Sequence, residues 1–323
     1  MRVLFISSGT IDKQPSPIVL AQGESIRKKG VSLEYFTINK KGLKGYLTEC
    51  LRLRSFLKRN RFDILHAHYG LSAIVSLIAK QGEKLSVSFM GDDILGSNRS
   101  NGSITLTSRI FANVNSLLAK VVYDFSIVKS DEMLKKIKSD NVTLLPNGVN
   151  VAHFYPEDRS TARERLELDH DKRIILFVSN PSRTEKNYTL AKEAVSKVNI
   201  PGVDLLTVYE VPQKTLAGYY NAADILILTS FHEGSPNVVK EAMACNCPIV
   251  STDIGDVRWI MGETKGCFLT SFNVGDVADK ITMALEYSAL HGRTNGRERI
   301  FELGLDESSI AKKVINIYER LLS

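Results

Sequence analysis

The chain has 323 residues, enough for roughly two domains of about 150 residues each. With 43% hydrophobic and 24% charged residues it has the composition of an ordinary globular protein, and no run of about 18 apolar residues offers a transmembrane helix. The net charge of +6 is uneven: residues 1–155 carry 22 Lys and Arg against 12 Asp and Glu, the remainder 20 against 24, so an anionic partner would meet the amino-terminal half.

The opening residues Met1-Arg2-Val3-Leu4-Phe5-Ile6 are too short an apolar run for a signal-peptide core and read as a first buried strand. Further strands are expected at 32–36, 64–66, 85–89, 125–128 and 142–145, with amphipathic helices such as 18–29 and 46–58 between them. The pattern restarts at 174–178 and continues at 205–208, 225–228 and 249–251. Strand–helix alternation predicts an α/β protein with parallel, doubly wound sheets. Two such units, 1–150 and 151–300, would be joined at Pro146-Asn147-Gly148 as facing Rossmann-like domains. Ligands of such sheets bind beyond the carboxyl ends of the strands, which places the expected site in an interdomain cleft. Ile310, Val314, Ile317 and Leu321 give residues 301–323 the apolar stripe of a closing helix.

Lys40, Lys41, Lys44, Arg52, Arg54, Lys58, Arg59 and Arg61 form the densest basic segment, with Leu47, Cys50, Leu51 and Leu57 read as its apolar stripe. Two readings stay open: a solvated helix packed on its own domain, or a patch for a lipid-linked acceptor at the inner face of an anionic membrane. Nucleic acid is not indicated, since neither an aromatic stacking run nor a binding motif accompanies the charge. The four cysteines, Cys50, Cys245, Cys247 and Cys267, lack the second Cys or His cluster of a zinc site and read as small buried residues of a reducing, cytoplasmic compartment.

Glu233 and Glu241 bracket the most informative stretch, His232-Glu233-Gly234-Ser235-Pro236-Asn237-Val238-Val239-Lys240-Glu241-Ala242-Met243-Ala244. A buried strand ends just before it. Ser235 is a good N-cap and Pro236 suits a first helical position. The first N–H groups of such a helix have no internal partners and, with the helix dipole, form an anion site. Glu241, one turn in, leans back toward that end and can accept from a ribose; Glu233, before the turn, would hold a sugar. Donors for phosphate between acceptors for hydroxyls are what a nucleoside diphosphate sugar requires.

This stretch resembles glycosyltransferase family 4, whose signature is two glutamates eight positions apart, a run like Ala242-Met243-Ala244, and then one like Pro248-Ile249-Val250-Ser251-Thr252. The likeness extends to Asp253-Ile254-Gly255-Asp256-Val257, Tyr219-Tyr220-Asn221-Ala222-Ala223-Asp224 and Pro146-Asn147-Gly148-Val149-Asn150, and more weakly to Asp63-Ile64-Leu65-His66-Ala67-His68 and Val87-Ser88-Phe89-Met90-Gly91-Asp92-Asp93. The resemblance implies the GT-B fold, retention of anomeric configuration, a nucleoside diphosphate sugar as co-substrate without further cofactor, and a last helix that crosses back to the first domain.

The same resemblance assigns the remaining candidates. Lys186 and Arg183, in the loop after residues 174–178, would neutralise the leaving diphosphate. Asn180, Gly234, Ser235, Pro236, Asn237, Val238 and Glu241 would line the donor, and Gly9 would let the backbone approach it. Here Ser179-Asn180 replaces the family's Gly-Arg, and Arg183 stands closer to Lys186 than is usual. Met90 stands where many members have a histidine that contacts the donor sugar, so that role is either vacant or taken by Asp92, Asp93 or His68, beside Gly91. His66 and His68, two apart at a strand end, are read as pointing to opposite faces. The paired acids Asp92 and Asp93 have no third ligand at recognisable spacing, so no metal is expected.

The resulting expectation is a retaining glycosyltransferase that moves a hexose-type sugar to a glycan or lipid-linked acceptor hydroxyl in polysaccharide or lipopolysaccharide assembly. The alternatives are a non-catalytic sugar-nucleotide-binding module and a nucleotide-sugar epimerase. A nicotinamide dehydrogenase is disfavoured, because no Gly-x-Gly-x-x-Gly follows the first strand.

Overall fold

A computed structural model describes residues 1–10, 12–96 and 105–323. The chain divides into two compact units, Met1–Gly148 with Glu307–Ser323, and Val149–Asp306. The chain returns to the first unit at Glu307 rather than near residue 300.

The first unit runs β1 (Arg2–Ser8), α1 (Pro17–Arg27), β2 (Ser32–Ile38), α2 (Gly42–Arg59), β3 (Ile64–His68), α3 (Gly70–Ala79), β4 (Lys84–Ser88), α4 (Asp92–Leu95), α5 (Leu106–Val121), β5 (Phe125–Val128), α6 (Asp131–Ile137) and β6 (Val142–Leu144). Its six strands form one parallel sheet in the order β2-β1-β3-β4-β5-β6. The steps β2 to β3, β3 to β4 and β4 to β5 all advance the same way across the sheet. Right-handed crossovers therefore put α2, α3 and α5 on one face and α1 on the other. In agreement, α2 packs on α3, and α1 packs on the last helix of the chain.

The second unit runs α7 (Arg159–Arg165), β7 (Arg173–Val178), α8 (Tyr188–Val195), β8 (Val203–Val208), α9 (Gln213–Ala222), β9 (Ile225–Leu228), α10 (Asn237–Ala244), β10 (Ile249–Thr252), α11 (Val257–Met261), β11 (Cys267–Thr270), α12 (Val274–His291) and α13 (Gly296–Glu302). Its parallel sheet is ordered β11-β10-β9-β7-β8. The closing helix, α14 (Glu307–Leu322), buries Ile310, Val314 and Ile317 in the first unit, and Tyr318 beside them.

Both sheets are covered on two faces, so β1, β3, β9 and β10 are buried at successive residues rather than at alternate ones. Leu4, Ile6, Leu65 and Val87 share one core with Leu53 and Leu57 of α2; Ile175, Phe177, Ile227 and Val250 share the other with Leu190 and Ile281. Three of the four free cysteines, Cys50, Cys245 and Cys247, are buried, Cys50 within the first core.

Two expectations are corrected. The buried stripe of α2 is Cys50, Leu53 and Leu57, at i, i+3 and i+7, whereas Leu47 and Leu51 face outward. They are turned roughly 100° away from that stripe, since each residue advances about 100° round the helix. The edge strand β11 was also not expected: its four residues are only partly buried up to Thr270, and so carry no apolar run.

Candidate functional site

The strands β10, β9 and β7 are neighbours, so the loops leaving their carboxyl ends lie side by side. Specific hydrogen bonds fasten them. Thr229 Oγ1, just past β9, donates to the carbonyls of Lys186 (3.1 Å) and Asn187 (3.0 Å), and the Phe231 N–H donates to Glu185 O at 2.9 Å. Thr252 Oγ1 at the end of β10 donates to Ser230 O at 2.9 Å. Gly255 has φ +54°, and a Cβ there would lie 2.5 Å from Gly234 O and 2.6 Å from Glu233 O. Only glycine lets the loop after β10 rest on the Glu233-Gly234 turn.

This fastening joins Lys186 to Glu233. The Lys186 ammonium donates to Glu233 Oε1, which also accepts from Ser230 Oγ at 2.9 Å. Lys186 ends a 3-10 turn, Thr184–Lys186, that Asn187 closes in the left-handed region asparagine tolerates. Arg183 opens the same turn, but its exposed guanidinium is drawn to Glu185, with Nε 2.7 Å from Oε1. Asn180 Oδ1 accepts from the N–H (2.9 Å) and hydroxyl (2.8 Å) of Ser182, a local turn that shapes the start of the loop.

At α10 the capping differs from expectation by one residue. Pro236 occupies the N-cap position, the helix begins at Asn237, and no side chain caps it. Ser235 Oγ instead accepts from Lys240 Nζ at 3.0 Å. The N–H groups of Asn237 and Val238 thus begin a helix end that no side chain satisfies, the arrangement that favours an anion. Glu241 is buried, and its Oε2 accepts from the Tyr220 phenol at 2.8 Å. Burial pushes the Glu241 carboxyl above its ordinary range, against the hydrogen bond from Tyr220 and the charge of Lys240.

The amino-terminal candidates lie in the first unit. His66 and His68 share one face of β3, their rings stacked with centroids 4.5 Å apart, because the pleat alternates every residue and positions i and i+2 coincide. The opposite-face expectation is therefore wrong. His66 bonds Tyr318 of α14 and Ser88 Oγ (2.8 Å). His68 is also fully buried, packed on Phe5, and neither of its ring nitrogens has a hydrogen-bond partner among the described residues. Asp93 is buried and accepts from the N–H groups of Gly70, Met90 and Gly91, each at 3.0 Å, so it braces the turn at Gly91. Asp92, beside it, is exposed. Gly9 sits where a Cβ would come within 2.2 Å of Asn39 Oδ1.

Two family models match. Residues 18–140 fit "Glycosyl transferase 4-like" and residues 201–287 fit "Glycosyl transferases group 1". A putative teichuronic acid biosynthesis glycosyltransferase of Bacillus subtilis is 27% identical over 71% of this chain and 63% of its own length. D-inositol 3-phosphate glycosyltransferase 2 of Catenulispora acidiphila is 24% identical over 88% of this chain and 78% of its own. Together these matches support a glycosyltransferase of the family 4 type. Among solved structures, sucrose-phosphate synthase of Thermosynechococcus elongatus superposes with TM-score 0.82 at 19% identity, covering 99% of this chain and 98% of that one. HepE of Anabaena, solved with UDP and glucose, gives 0.76 at 16% identity over 99% and 100%. The fold is GT-B.

Within this glycosyltransferase the structure adds residues that the sequence did not single out. Lys240 is fully buried on α10 between the two glutamates, and burial lowers its pKa to about 8. Asp256, at the start of α11, is close enough to act on Lys240, and burial raises its carboxyl to about 6. A lysine amid Val238, Val239, Ala242 and Met243 was the available signal: a helix buried on every side leaves an ammonium no route to water. Tyr220, part of the family likeness, holds Glu241 through its phenol. At the amino ends of the same strands, a polar cavity of about 680 Å³ contains Asp224, which Arg159 (2.6 Å) and Arg163 (2.8 Å) neutralise. Those arginines pin α7 to the sheet. Among the described residues no group of three or more His, Cys, Asp or Glu is placed to hold a metal ion, and no helix is long and apolar enough to cross a membrane.

Proposed function

We propose that this glycosyltransferase moves a sugar from a nucleoside diphosphate donor to an acceptor hydroxyl with retention, on a glycan or lipid-linked acceptor in polysaccharide or glycolipid assembly at the inner face of the membrane. The observation that carries the donor half is the convergence of Lys186, Glu233 and the uncapped start of α10 at adjacent strand ends. In this reading the N–H groups of Asn237 and Val238, behind the Gly234-Ser235-Pro236 turn, receive the diphosphate. Lys186 and Arg183 neutralise the charge that grows on it as it leaves, where fixed donors act most strongly. Glu241, oriented by Tyr220, accepts from a ribose hydroxyl. Glu233 accepts from the donor sugar once Lys186 turns to phosphate, and Asn180 and Gly9 line the approach. His68, Gly91, Asp92 and Asp93 belong to the acceptor or donor-sugar side.

The acceptor oxygen bonds the anomeric carbon as the bond to the diphosphate oxygen breaks, and the hydroxyl proton passes to that departing oxygen. Retention comes from the family resemblance. Engagement of Glu233 by Lys186 and Ser230 favours this front-face departure over a covalent glycosyl-enzyme. Positive charge for the diphosphate is supplied by side chains and a helix end, so transfer is proposed to need no metal or other cofactor. HepE has been solved with UDP-glucose, and starch synthase IV of Arabidopsis thaliana with ADP and acarbose, so UDP- and ADP-sugars head the list of donors.

The test is a thermal-shift screen over nucleoside diphosphate sugars, followed by turnover with candidate acceptors; a true donor stabilises in proportion to its saturation. Stabilisation with transfer supports the proposal. Binding without any turnover would make the chain a sugar-nucleotide module, and a new sugar nucleotide formed without acceptor would make it an epimerase.

A further inference from the structure

Helix α5 carries an apolar stripe on its outward face. Leu106, Ile110, Val114, Leu117 and Val121 follow one another at steps of four, four, three and four residues, which aligns them along one side of the helix. That side faces outward: the five side chains are 43–71% exposed. The face turned to the protein buries Ala112, Asn115 and Ala119, with Leu118 half-buried against the core and Phe111 beside Tyr69. The outward stripe is left without an apolar partner among the described residues, as at a surface that meets another body.

α2 repeats the feature on the same face of the sheet. Leu47 and Leu51 point outward, flanked by exposed Lys44, Arg54 and Lys58. The exposed charge that the two helices themselves carry has one sign. α5 carries Arg109 and Lys120 and no acid; α2 carries five basic residues and a single acid, Glu49, which is buried and paired with Arg52.

We propose that α5 and α2 lay this face of the amino-terminal unit on an anionic lipid surface. Leucine, isoleucine and valine side chains would enter the boundary between headgroups and acyl chains, while Lys44, Arg54, Lys58, Arg109 and Lys120 reach the lipid phosphates along their flexible stems. Charge decides against a second copy of the chain: antiparallel pairing of two α5 helices would set Arg109 beside the other copy's Lys120, with no acid on the helix to relieve it. The inference does not depend on the donor chemistry, since none of these residues belongs to the proposed donor site.

The experiment is co-sedimentation of the full chain with phosphatidylcholine vesicles with and without phosphatidylglycerol. Binding is expected only with phosphatidylglycerol, weakening as salt is raised. Ile110→Asp with Leu117→Asp should abolish it, and Lys44→Glu or Lys58→Glu should each reduce it by at least roughly fivefold. All four positions face outward, so melting temperature and any donor-induced thermal shift should be unchanged, which separates failure here from failure of the donor assignment. Absence of binding to phosphatidylglycerol vesicles, or equal binding by the α5 variant, overturns the proposal. So does a dimer in solution that the α5 variant converts to monomer, which would identify a second copy as the occupant.

Discussion

Lys186 and Glu233, 47 positions apart in the chain, form an ion pair whose acid also accepts from Ser230 at 2.9 Å. The pair exists because β7 and β9 are neighbours and Thr229 binds the carbonyl of Lys186 itself. If Lys186 serves the leaving diphosphate, Lys186→Ala should lower kcat by roughly 10²–10³, the loss seen when one fixed donor to developing charge is removed. Stability should change little, since a pair with partial access to water contributes at most about 1 kcal/mol. Initial rates and melting curves on the same preparation check this; undiminished transfer and donor hydrolysis would remove Lys186 from the mechanism.

Tyr220 and Glu241 give a prediction of a different kind. Tyr220→Phe deletes one hydrogen bond to a buried carboxylate, at a cost of about 1–3 kcal/mol. It also leaves the Glu241 carboxyl, already raised by burial, without the group that lowers it most. The donor KM should therefore rise more than kcat falls, because ribose contacts are made equally in ground and transition states. A kcat loss at unchanged KM would place Glu241 nearer the reacting atoms than proposed.

Lys240 and Asp256 call for a double-mutant cycle. Lys240→Met alone removes a charge that helps keep the buried Asp256 carboxyl ionised and should cost about 1–3 kcal/mol; adding Asp256→Asn should recover most of that, since the uncompensated acid is then gone. Donor affinity separates positioning from mere stability. Ser235 loses the lysine in both variants, so donor binding should stay weakened in the double variant although its stability returns. Recovery of both together would reduce Lys240 to a structural role.

What the sequence disclosed depended on how local the cause was. Strands buried on both faces announce themselves as apolar runs, so β5 and β9 lie at the expected residues, and a proline with a serine before it marked the start of α10 to within one position. Partners were not legible. Nothing local tells Lys186 that it meets Glu233, because that outcome depends on strand order and loop path. The orientation of α2 and α5 was equally hidden: both carry enough leucine to suggest a buried stripe, and only the packing reveals which leucines face outward.

His68 ties stability to pH with a definite sign. Burial lowers its pKa from 6.5 to about 3, with help from the charge of Lys129, so the native state refuses a proton that the unfolded chain accepts. Stability is full above pH 6.5 and is lost as pH falls toward 3, by about 1.4 kcal/mol per pH unit. His66, also lowered by burial, acts in the same direction. Asp93, raised to about 6, opposes them: between its ordinary 3.8 and 6 the native state takes up the proton more readily, so acid favours folding there. The net acid sensitivity of the first unit is thus a partial cancellation, and His68→Leu isolates one contributor. Relative to the parent, this variant should gain about 2 kcal/mol between pH 6.5 and pH 5, read from urea titrations at the two values. At pH 7.5 it should be no less stable, since it removes two buried ring nitrogens that lack partners among the described residues. Parallel stability curves for the two proteins would mean that the ring is not held neutral by burial. A variant that is more stable but transfers sugar more slowly would show that the unsatisfied imidazole is kept for the donor or acceptor rather than for the fold.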